Sequence, residues 1–214
     1  MTSVTDAESR LFGAERAKAF IDAVVAIAMT LLILPLMESI SDASEVADAE
    51  ASAAQWFGEH LWQLGSFVLS FVIIAMFWIN HHRVFTLVER VTPTFLWICM
   101  AWLLTIVWLP VATAMSGRMD SDDPVVKTVY IGSMVLTSLV VLVQRLYLRS
   151  HPELHTMTPD LMRRGLAAEL AMLALFTASL VVAVTVPAIG YYAMFLMGLT
   201  GVVQRLFARV LPKG

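Results

Sequence analysis

Asp22 stands inside "RAKAFIDAVVAIAMTLLILPL", residues 16–36, a stretch otherwise apolar enough to lie in lipid. An ionised acid at mid-bilayer costs about 2.5–3.5 kcal/mol on insertion scales, so such a residue has a partner or a task. Candidate partners are Arg16 and the cluster His81, His82 and Arg83 in "FWINHHRVF", residues 77–85. Asp22 follows Arg16 by about 9 Å of helix, which places the carboxylate in one leaflet and not at the bilayer centre. Three roles stay open to it: a tether to one of these groups, a carboxylate favouring the positive end of its own helix, or a part in ion passage or protonation. His81 and His82 read as satisfied interfacial histidines before metal ligands. A further cluster, "HPELHTMTPD" at 151–160, sets His151 and His155 four apart, as a zinc pair on a helix would be. Pro152 and the turn at Pro159 weaken that geometry, and no enzyme is expected.

The elements that must position these residues are membrane helices. Of 214 residues, 59% are hydrophobic and 14% charged, and the mean hydropathy is +0.78. A soluble domain is about half apolar and a quarter charged. The single cysteine, Cys99, excludes an intramolecular disulfide and a cysteine-rich metal site. A net charge of -3 argues against a nucleic-acid partner, and nothing calls for a cofactor. Six apolar windows are long enough to cross a core of roughly 30 Å: about 19–37, 61–80, 92–115, 125–146, 166–186 and 189–208. The expected fold class is therefore all-α, one six-span domain in a lipid bilayer. With no basic region ahead of it and no small-residue cleavage site after it, the first span reads as retained, not as a signal peptide.

Charge sets the expected orientation. Twelve of the fourteen Lys and Arg residues fall on one side of these spans, and only Arg118 and Lys127 on the other. The positive-inside rule then places both termini in the cytoplasm. The opposite side carries Glu38, Asp42, Glu45, Asp48, Glu50, Glu59, Asp120, Asp122 and Asp123. Such a surface concentrates cations, although acidic loops are also common as plain solvated surface.

After Asp22 the first span has a legible stripe. Ala23, Ile27, Leu31 and Leu34 recur at helical spacing, Phe20 joins one end and Thr30 lies at the edge. Asp22 projects away from it. Periodicity alone assigns such a stripe to lipid or to packing.

Arg16, Phe20 and Asp22 in "RAKAFID" resemble the first-helix signature Arg-x-x-x-Phe-Ser-Asp of the transmembrane protein 175 family, the lysosomal potassium channel and its smaller prokaryotic relatives. Trp78, His81, Arg83 and Phe85 resemble that family's second-span ending. Ile21 replaces the family's serine, which puts the detail of the local hydrogen bonding in question. The resemblance implies a potassium-selective cation channel in a prokaryotic plasma membrane, with potassium as the permeant ion and the first helix lining the pore. Ile27 would narrow that pore, Leu31 and Leu34 would extend the constriction, and Thr30 would favour potassium. One such helix per chain cannot enclose an axis, so the resemblance implies a homotetramer.

The runner-up is a secondary transporter of ions or small solutes, which would place polar groups at mid-membrane. Spans four to six offer Ser133, Thr137, Ser138, Thr177, Ser179 and Thr185 but no evident mid-membrane charge pair. Glu169 is expected to pair with Arg164.

Overall fold

The computed structural model describes residues 12–46, 53–120, 122–186 and 188–211. A two-residue strand β1 (Phe12–Gly13) leads into α1 (Ala14–Leu31) and, after a turn at Leu32 and Ile33, α2 (Leu34–Val46). There follow α3 (Ala53–Glu59), α4 (Leu61–Phe85), strand β2 (Arg90–Val91), α5 (Pro93–Arg118), α6 (Pro124–Ser150) and α7 (Pro159–Thr185). A 3-10 stretch (Gly190–Leu199) then runs into α8 (Thr200–Val210). Among the described residues the regular structure is all helical apart from the two-residue strand pair, and six helical segments are long and apolar enough to cross a membrane.

The segments run somewhat past the expected windows. The first covers Ala14–Asp42 and is broken, not straight. Pro35, at the second position of α2, has no N–H to offer the Leu31 carbonyl, so a regular α ladder cannot pass through this point. The last span, expected as one helix over 189–208, begins in 3-10 form after Gly190, whose φ of 48° favours glycine. Pro187, part of the turn expected there, lies outside the described residues, as do Asp48 and Glu50.

Three of the spans start in the same way, with a capping side chain followed by proline. Thr92 accepts from Phe95 N, Asp123 from Val125 N and Thr158 from Leu161 N, each ahead of a proline that has no N–H to satisfy. Packing follows chain order: α1 lies against α4 and α5, then α5 on α6, α6 on α7, and α7 on the last span. Large side chains fill the interior, including Phe77, Phe95, Trp102, Ile106, Tyr130 and Phe176.

One end of the bundle carries Arg83, Arg90, Arg149, Arg163 and Arg164, and the other carries Glu38, Asp120, Asp122 and Asp123. At the basic end β1 pairs antiparallel with β2, and Val88 bridges to His155. The zinc-like spacing of 151–160 serves this stitching. His155 Nε2 lies 3.0 Å from the Leu148 carbonyl, and its Nδ1 accepts from Met157 N. His151 Nδ1 lies 2.9 Å from the Tyr147 carbonyl. Among the described residues no group of three or more His, Cys, Asp or Glu could hold a metal.

Glu169 does not pair with Arg164, which instead meets Asp160 at 2.8 Å. Glu169 is buried. It accepts from Arg145 Nη2 of α6 at 3.1 Å and from Asn80 Nδ2 of α4 at 2.9 Å. Arg164 lies on the exposed side of α7, so the bundle interior selects the arginine of the neighbouring helix. A Cβ at position 165 would come within 2.6 Å of Arg145 Cζ, so Gly165 is what lets the guanidinium pass.

Candidate functional site

The first span has one covered face and one bare face. Ile21, Val25, Ala28, Leu32 and Leu36 recur at helical spacing and turn into the chain's own core. Ile21 is 1% exposed, so where the family pattern has a hydroxyl this chain has a branched apolar side chain packed between spans. On the opposite face Phe20, Ile27, Leu31 and Leu34 are 54%, 59%, 38% and 47% exposed, with Ala19, Ala23, Ala26 and Thr30 beside them. Ile27 to Leu34 covers about 10 Å along the axis. The three residues expected at a constriction, Ile27, Leu31 and Leu34, therefore share the side of the first span that the rest of this chain leaves uncovered.

Thr30 sits among them with its hydroxyl turned to the backbone. Its Oγ1 donates to the Ile27 carbonyl at 2.7 Å. With the proton committed there, the oxygen offers lone pairs to anything else that approaches, as a cation requires.

Asp22 is tethered. Trp78 Nε1 donates to its Oδ1 at 2.8 Å, and His82 Nδ1 lies 3.8 Å from its Oδ2. The second distance is too long for a hydrogen bond and makes an ion pair only with a protonated ring. Trp78 and His82 are four apart on α4, so both reach the same side, their rings 5.4 Å apart. His81 does not join them. It is buried on the next face of α4, stacked on Trp102 at 4.1 Å and on Phe85 at 4.6 Å, and Phe85 continues the column to Phe95. Arg16 and Arg83 are exposed, and neither forms an ion pair among the described residues.

The other end of the span is held by groups that sequence reading did not assign. The Pro35 carbonyl accepts from Gln63 Nε2 of α4 at 2.9 Å and from Arg118 Nη2 of α5 at 3.0 Å. Arg118 also meets Glu38 of α2 at 3.0 Å. Arg118 carried one signal, being an isolated base on the acidic side. Gln63 carried none. For the tether, the spacing of Trp78 and His82 against that of Phe77, His81 and Phe85 already divides α4 into two faces.

A multi-pass helical membrane protein whose first span is held at both ends and bare between them is the class these features define. The family model described as endosomal/lysosomal potassium channel TMEM175 matches residues 16–110, from the first residue of the tether motif into α5. Through its first three spans the chain is similar to that family. It is 32% identical over 137 residues to a potassium channel of Streptomyces collinus, an alignment covering 62% of each chain. It is 30% identical over 127 residues to a potassium channel of Chamaesiphon minutus, covering 58% of this chain and 61% of that one. A potassium channel of a Chryseobacterium species is 25% identical over 138 residues, covering 64% and 67%. The chain thus spans about three-fifths of the length of the first two relatives.

Proposed function

We propose that this protein is a subunit of a potassium channel, in which four copies of the first span surround the conduction path. The observation that carries the reading is the bare face of α1 and α2. Its middle is apolar, with a hydroxyl at Thr30, and the tether at Asp22 fixes its rotation. Small side chains at Ala19, Ala23 and Ala26 would let such helices approach closely around an axis. Ile27, Leu31 and Leu34 would close the path by steric contact and dewetting, and Thr30 with the helix carbonyls would replace part of the water around a potassium ion. The positive-inside rule places the basic end, and with it both termini, in the cytoplasm of a prokaryotic cell, with the acidic end gathering cations at the outer mouth.

Planar-bilayer recording of the purified protein under a potassium/sodium gradient tests this. Unitary currents with a potassium-biased reversal potential are expected. Ile27→Asn should raise conductance or leak, because an amide wets the constriction; an unchanged conductance removes Ile27 from the path.

One observation favours a second reading, a secondary transporter. Arg145, Glu169 and Asn80 form a buried polar cluster joining α4, α6 and α7, and buried ionisable groups in membrane spans mark ion or proton routes as well as structural ties. A carrier would give flux in liposomes without unitary events.

A further inference from the structure

A cavity of about 580 Å³ opens at the acidic end of the bundle, between α4, α5, α6 and the 3-10 stretch, away from the bare face of the first span. At its wall is Lys127, whose side chain is 2% exposed. Its ammonium has three N–H donors, and the described residues give it one acceptor, Asp122 Oδ1, at 3.3 Å. That is long for a charge-assisted bond, and the Asp122 side chain is itself 81% exposed. Two hydroxyls line the same space: Ser116 Oγ and Tyr191 OH are buried and approach each other without closing a well-aligned hydrogen bond. A buried ammonium and two buried hydroxyls around one opening lack an acceptor of several lone pairs.

An apolar furrow adjoins the cavity on the side of the bilayer centre. Leu69 lines both, and the furrow, of about 110 Å³, is walled by Met76, Phe77, Met172, Met194 and Met197. From Leu69 to Met76 the furrow follows α4 for about 10 Å toward the bilayer centre. A polar chamber at interfacial depth above an apolar, methionine-lined furrow fits an amphiphile. The charges narrow its class. A purely anionic headgroup would meet the Asp122 carboxylate beside the one ammonium, whereas a phosphate bearing an amine satisfies both signs.

We propose that this cavity holds a phospholipid whose headgroup carries a phosphate and a primary amine. Its phosphate lies on Lys127, Ser116 and Tyr191, its amine is directed to Asp122, and part of one acyl chain lies in the furrow.

Native mass spectrometry of the full-length protein in detergent, titrated with phosphatidylethanolamine and with phosphatidylglycerol, tests this without reference to conduction. The first lipid should bind at least about tenfold more tightly than the second, a difference of about 1.4 kcal/mol. Asp122→Asn should lose that preference, because it removes the partner of the amine, whereas Lys127→Met should weaken both lipids, since each carries a phosphate. Gly65→Leu is the second variant: Gly65 lines the cavity and a Cβ added there meets nothing within 4 Å, so the larger side chain has the cavity to enter. It should lower phosphatidylethanolamine binding about tenfold, again about 1.4 kcal/mol. Excess O-phosphoethanolamine should leave the lipid in place, because it lacks the chain. Equal binding of the two lipids, binding unaltered in Gly65→Leu, or displacement by the soluble headgroup overturns the proposal.

Discussion

The two ends of the first span are held by different chemistry. At the basic end a side chain of the span itself, Asp22, meets two rings presented by a single helix, Trp78 and His82 of α4. At the acidic end the acceptor is backbone, the Pro35 carbonyl, and the donors come from two helices, Gln63 of α4 and Arg118 of α5. A side-chain contact fixes how a helix is turned about its own axis. A carbonyl contact fixes where the helix lies and is indifferent to which side chain stands at that residue. Between the two, the bare face of Ile27, Leu31 and Leu34 is kept in one orientation without any support of its own.

A reference point for both anchors is the fully buried pair. Glu169→Ala leaves the Arg145 guanidinium uncompensated inside the bundle, and breaking such a pair costs about 3–5 kcal/mol. The expected result is loss of folded protein by size-exclusion chromatography, with Glu169→Gln partly rescued through the Asn80 and Arg145 contacts. A well-folded Glu169→Ala protein with altered transport would instead favour the carrier reading.

Asp22→Ala comes next. It strands the Trp78 N–H in a part-buried site and removes an interhelical hydrogen bond to a carboxylate, worth about 1–2 kcal/mol. Thermal unfolding in detergent should fall by several degrees, and assembly should suffer more than selectivity. Stable oligomers with changed permeation would move Asp22 from the scaffold into the path.

Arg118→Met should cost under about 1 kcal/mol, because Arg118 and Glu38 are 39% and 62% exposed and Gln63 still holds the Pro35 carbonyl. A loss equal to that of Asp22→Ala would erase the contrast between the two ends. Thr30→Val, the smallest change, should leave stability nearly unaltered, since it removes only a bond to the span's own backbone. Its expected effect is a reversal potential shifted toward equal permeation of potassium and sodium. An unaltered potential detaches Thr30 from selectivity.

Legibility in the sequence follows the same division. Hydropathy marked six spans because lipid demands long apolar runs. The tether was readable as a depth match between Asp22 and the His82 region, since both count from helix ends of known rise. Its principal donor was not, because the depth match names only charged and imidazole partners, and Trp78 entered through the second-span motif alone. The acidic-end clamp was hidden for a stronger reason: its acceptor is a carbonyl, which every residue has. Arg145 and Glu169 were visible as charges, but choosing between Arg145 and Arg164 needed the azimuth of α7, which no single helix reveals. The break after Leu31 lay in Pro35 all along, since proline early in a helix either begins it or interrupts what precedes it.

The last span shows how winding alone changes reach. Ten of its 21 residues, Gly190–Leu199, are wound as a 3-10 helix, which rises about 2.0 Å per residue against 1.5 Å for the α form. The segment therefore extends about 36 Å where a uniform α helix of the same residues would stop near 31 Å. A hydrophobic stretch too short for its bilayer must thin the lipid around it or draw polar flanks inward. By stretching its first half, this one gains about 5 Å of reach from its own backbone, a reserve against mismatch that lipid would otherwise have to absorb.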